Sequence, residues 1–136
     1  ESMQQTTQTA GYGGGALAYL GDAVFEVLVR ERLVKSGVSD PGKLNAMALS
    51  YVRATAQSAG LERLLPHLSE QEEADFRRGR NGAGAHPKSA TALEYRRATG
   101  LEALFGALYL RGEAERAKDL FLLYAEGVEA KEAEHA

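Results

Sequence analysis

Hydrophobic and polar residues recur along this chain with the spacing of helices, and nowhere with the period of two that marks a half-buried strand. Two stretches stand out. Gly15–Val29 is apolar on almost every side, as in a helix buried in the middle of a domain, and only Asp22 and Glu26 interrupt it. These acids are four residues apart and share a helix face. Ala98–Leu110 repeats the oddity with a single charge, Glu102. A lone carboxylate in an apolar helix must shift its pKa, find a cation or bind a metal. Two such helices suggest that their carboxylates meet.

The other elements follow from start and stop signals. The first helix is expected over 15–35, capped near Gly37. Asp40-Pro41 starts a second, and Leu44, Met47, Ala48, Tyr51, Val52 and Ala59 carry it to Gly60. A short helix over 61–65 is closed by Pro66, and Ser69–Glu72 fits a capping box opening a polar helix to about Arg80. Asn81–Pro87 has no regular option and reads as a loop. Ser89 or Thr91 restarts a helix that passes through Glu102 to Gly112, and a last helix runs over about 113–132. The fold class expected is all-α, with six or seven helices. Residues 1–14 read as a disordered arm, 15–132 as one domain and 133–136 as an acidic tail. Gly21, just before Asp22, and Gly106, one turn after Glu102, each cost a helix about 1 kcal/mol relative to alanine. A close helix crossing would explain them.

Composition narrows the function classes. The 136 residues suit one domain, and no run reaches the apolar length of a membrane span. Without cysteine there are no disulfides or thiolate metal sites, and an intracellular, cytoplasmic place is expected. His67, His86 and His135 lack zinc-ligand spacing. The net charge of −3 hides a local asymmetry: residues 77–97 carry +5 and the remainder −8.

Two sites of chemistry are open at this point. Asp22 and Glu102 could hold Mg²⁺, whose remaining positions water and substrate phosphates would fill, or each acid could pair with an arginine and only order the core. Glu26 could orient a ligand or metal-bound water, cap a neighbouring helix, or pair with Arg30. The cations Arg77, Arg78, Arg80, Lys88, Arg96 and Arg97, with Asn81 and His86 in the loop between, could contact phosphates across a groove. They could equally be solvated helix faces paired with Glu73 and Glu94. The segment has no aromatic stacking platform, which favours double-stranded over single-stranded RNA.

Leu17–Glu26 (LAYLGDAVFE) resembles the signature helix of the ribonuclease III catalytic domain, and Leu101–Leu110 (LEALFGALYL) resembles that family's second carboxylate motif. Arg78-Gly-Arg-Asn81, Pro87-Lys88 and Tyr95-Arg96 are similar to its short bacterial branch, Mini-ribonuclease III. The resemblance runs from about Gly15 to Leu123. It implies a homodimeric, all-helical endoribonuclease that uses Mg²⁺, or Mn²⁺ in its place, to cut double-stranded RNA, with Asp22 and Glu102 on metal-binding positions. The branch is associated with maturation of large-subunit ribosomal RNA precursor. Larger relatives carry a glutamate where this chain has Ala18 and an aspartate where it has Thr99, which implies a wetter metal shell with Glu26 and Thr99 in supporting roles. They also carry a double-stranded RNA-binding domain, so substrate grip here is expected to fall to the Arg77–Arg97 segment. The rival readings are a non-catalytic RNA-binding relative and a helical protein-interaction module.

Overall fold

The computed structural model describes residues 9–88 and 90–134. Residues 1–8 of the expected arm, Ser89 as a helix start, and the end of the expected tail with His135 lie outside the described residues. The protein is all-α, as the sequence requires. Among the described residues the helices run α1 Gly14–Lys35, α2 Pro41–Leu49, α3 Ala54–Leu64, α4 Glu70–Asn81, α5 Ala92–Leu110 and α6 Ala114–Glu134, with a 3₁₀ turn at Leu65–His67. Two compact units divide the chain. Of the described residues, one holds those up to Phe25 together with those of Leu68–Ala117; the other holds Glu26–His67 with those from Lys118 to Glu134.

In the first unit, the N-terminal part of α1 crosses α5 at a small-residue seam of Leu17, Ala18, Ala103 and Ala107, all buried. Leu101, Leu104, Phe105 and Leu108 extend this core along α5, and Phe25 meets Phe105 edge-on at 5.5 Å. Each fully buried leucine contributes about 2 kcal/mol. α4 packs on α5 beside that seam and shares Ala103 with it: a Cβ on Gly79 would collide with the Cβ of Ala103, and one on Gly100 would press on the backbone of Phe76. Capping boxes set both helix starts, Ser69 with Glu72 and Thr91 with Glu94. Glu94 is thereby a capping group at its own helix start. Gly112, at φ +73°, ends α5 in the left-handed conformation that glycine adopts without steric cost.

The second unit corrects one expectation. The helix expected from Pro41 to Gly60 breaks at 50–53, and the next helix runs straight through Gly60. Ser50 Oγ donates to the carbonyl of Met47, and the Tyr124 hydroxyl donates to the carbonyl of Tyr51 at 2.6 Å, so that carbonyl is taken from the helix ladder. Gly60 is no terminator. It faces the Tyr124 ring, where a Cβ would collide. Tyr51 also donates its hydroxyl to Glu129, which accepts a two-pronged bond from Arg32 at 2.8 and 2.9 Å. Burial first, then the Glu129 bond, holds the Tyr51 phenol up at about 12.

Candidate active site and basic loop

Asp22 and Glu102 are brought together by the two glycines beside them. A Cβ on Gly21 would strike the backbone carbonyl of Glu102, and one on Gly106 would strike that of Leu17. Helices touching backbone to backbone place the side chains flanking the contact against each other. Asp22 lies at the surface and Glu102 is partly buried, with the two carboxyls in hydrogen-bonding reach. Burial, then the negative charge of Asp22 and the bond to it, push the Glu102 carboxyl up to about 8. Burial and the neighbouring acid thus favour the neutral form of Glu102.

The arginine pairing that the sequence left open is not made: among the described residues, no lysine or arginine forms an ion pair with either acid. Two carboxyls held in mutual contact, uncompensated and open to water on one side, fit a hard divalent cation. No third histidine, aspartate or glutamate joins them among the described residues, so such an ion would keep most of its water.

The supporting residues sit differently from the pair. Ala18 is part of the apolar seam. Thr99 is buried, and its hydroxyl proton goes to the Tyr95 carbonyl at 2.8 Å, inside its own helix. Glu26 accepts from Arg30 at 2.6 Å on an exposed face, the i+4 pairing that its spacing allows.

The basic residues divide into exposed and committed. Arg77, Asn81, His86, Lys88 and Arg96 are exposed; Arg97 is half-buried. Arg80 lies over the Phe76 ring at 6.0 Å, which fixes its stem beside the loop. His86 Nδ1 is 3.0 Å from the Pro87 carbonyl. Arg78 turns the other way: its Nη1 donates to the carbonyls of Thr9 at 2.6 Å and Tyr12 at 3.1 Å.

Sequence reading passed over the polar cluster beneath α4. Asp75 is fully buried and accepts from Arg111 at 2.9 Å; Arg111 also bonds Glu113 at 2.6 Å and the hydroxyl of Thr9 at 3.3 Å. Glu72 takes two bonds from Arg116, each of 2.8 Å. The available signal was the spacing of Glu72, Asp75, Phe76 and Gly79, which places both acids on the face that Phe76 buries.

Comparison with known proteins agrees with this arrangement. Residues 15–113 match the model of the ribonuclease III domain. The Mini-ribonuclease 3 of Symbiobacterium thermophilum is 51% identical over 114 residues, 83% of this chain and 88% of the relative. That of Enterococcus faecalis is 43% identical over 79% of this chain and 83% of its own. A crystal structure of a Fusobacterium nucleatum protein matches with a TM-score of 0.75 at 32% identity, covering 86% of this chain and 94% of that one. Two carboxylate helices crossing on paired glycines, in a chain this close to such relatives, leave one assignment: the protein belongs to the ribonuclease III family of endoribonucleases, in its Mini-ribonuclease 3 branch.

Proposed function

We propose that the protein hydrolyses phosphodiester bonds in double-stranded RNA with Mg²⁺, in the cytoplasm, and that its natural substrate is a large-subunit ribosomal RNA precursor. The observation that carries this reading is the uncompensated contact between Asp22 and Glu102 on crossing helices. These residues would hold the metal, which supplies an activated water and charge stabilisation at the phosphodiester. Glu102, holding a proton that binding of a cation would displace, sets the pH at which the site becomes available. Arg77, Arg80, Asn81, His86, Lys88, Arg96 and Arg97 would position the duplex backbone, as charge contacts that read shape more than sequence. Glu26 and Thr99 contribute through helix geometry.

A homodimer, one strand cut per subunit, is part of the same reading. Its support is apolar surface on α1, where Tyr19, Val27 and Val34 are 86, 64 and 60% exposed. Light scattering at micromolar concentration should give twice the monomer mass.

The deciding assay is cleavage of a long RNA duplex with Mg²⁺ by wild type, Asp22→Ala and Glu102→Gln. Both variants should lose at least a hundredfold in rate while still binding RNA. Equal rates in all three would remove the pair from the chemistry. Binding without cleavage by the wild type would favour a non-catalytic relative.

A further inference from the structure

We propose that Arg78 is a positioning residue: it clamps the segment Thr9–Gly14 around the last turn of α4 and so fixes the exposed cations of the adjoining loop. The proposal rests on the RNA-binding reading above and changes the task assigned to this arginine. Arg78 is the one cation of the Arg77–Arg80 cluster whose guanidinium is spent on the protein's own backbone, at the carbonyls of Thr9 and Tyr12. It also lies 3.7 Å from the fully buried Asp75, with a quarter of its side chain exposed.

The contact is made from both sides. The carbonyl of Arg78 accepts the α4-capping bond from the Gly82 amide at 3.0 Å. Gly14 lies flat on that same carbonyl, so closely that a Cβ there would overlap it. A Cβ on Gly82 would in turn touch Gly14 at 3.5 Å and Gly15 at 3.6 Å. The glycine-rich start of α1 is therefore the seat on which the end of α4 rests. Thr9 is buried beside it, with its hydroxyl accepting from Arg111, which is itself bound to Asp75. Four polar groups from three parts of the chain thus converge under the turn that launches Arg80, Asn81 and the loop to Lys88. Loops with few contacts of their own take their direction from the helix ends that anchor them. Tilting the end of α4 moves every cation beyond it.

The test is duplex RNA affinity of Arg78→Lys, Gly14→Ala and the double variant, in a salt titration at a temperature where urea unfolding shows each to be folded. Lysine keeps the charge that a phosphate contact would use, but it is shorter and lacks the guanidinium fork. With Arg78 as a clamp, each single variant weakens binding on the order of tenfold, with several cations drawn off their phosphates together. The double variant is then scarcely weaker than either, because both break one contact. Affinity of Arg78→Lys equal to wild type would overturn the proposal. So would a normal Gly14→Ala with Arg78→Met losing a salt slope of about 0.9, the mark of one phosphate contact. If Gly14→Ala does not fold, Arg78→Lys alone decides. Arg80→Glu and Lys88→Glu separate the two layers: if they bind normally, the RNA-binding reading falls, and if they fail while Arg78→Lys and Gly14→Ala bind normally, only the clamp does.

Discussion

Replacing Glu102 by glutamine should make the protein more stable at alkaline pH and leave it unchanged in acid. The unfolded glutamate ionises near its ordinary value of 4.5, whereas in the fold its carboxyl is pushed up to about 8. Between those values the unfolded chain has released the proton and the folded one has not, so stability falls as pH rises through that window. Below it both states are protonated and above it both are ionised, so the contribution is flat on either side. Taken at face value the shift corresponds to about 5 kcal/mol, at 1.36 per pH unit. Glu102 is only partly buried and water screens it, so roughly 2 kcal/mol is expected. Urea unfolding of wild type and Glu102→Gln at pH 4, 6, 8 and 9 reads this directly. The stability difference should grow from pH 4 to pH 8 and then level. Asp22→Asn should shorten the window from its upper end, since it removes the neighbouring charge and leaves the burial. A difference independent of pH would refute the physical picture of the pair, because it would mean that Glu102 titrates alike in both states.

Adding Mg²⁺ should raise the unfolding midpoint of wild type more at pH 8 than at pH 5, and do so weakly or not at all in Asp22→Asn, as differential scanning fluorimetry can record. Gly21→Ala places a methyl on the Glu102 carbonyl, so a loss of about 3 kcal/mol or failure to fold is expected in urea melts. Arg111→Met removes the nearest cation from the fully buried Asp75 carboxylate, leaving it Arg78 at 3.7 Å and the Gln71 amide, and should cost about 3 kcal/mol. Arg30→Ala, which breaks an exposed i,i+4 pair, should cost under about 0.5 kcal/mol in the same melts.

Much of the fold was legible because local rules act locally. The capping boxes at Ser69 and Thr91, the Asp40 cap before Pro41, and the positive-φ glycines at 37 and 112 each fix a helix end with residues within a few positions. The crossing at Gly21 and Gly106 was legible for another reason: glycine inside an apolar helix carries a cost that only close backbone contact offsets. The break at residues 50–53 was not. It depends on the Tyr124 hydroxyl holding the Tyr51 carbonyl, a bond between residues 73 positions apart, for which the spacing of Met47, Ala48 and Tyr51 gives no sign.

By itself, then, the sequence determined that this chain is helical, where those helices begin and end that carry their own caps or terminal glycines, and that two acids in apolar helices needed an explanation. Only the tertiary structure decided that Asp22 and Glu102 meet with neither held by an arginine among the described residues, and that Arg78 is bonded to the backbone of Thr9 and Tyr12 while Arg77 is exposed. The reason is the same in both cases. A charge's partner is set by distance in space, and burial fixes its protonation, whereas sequence spacing fixes only the face of the helix from which it starts.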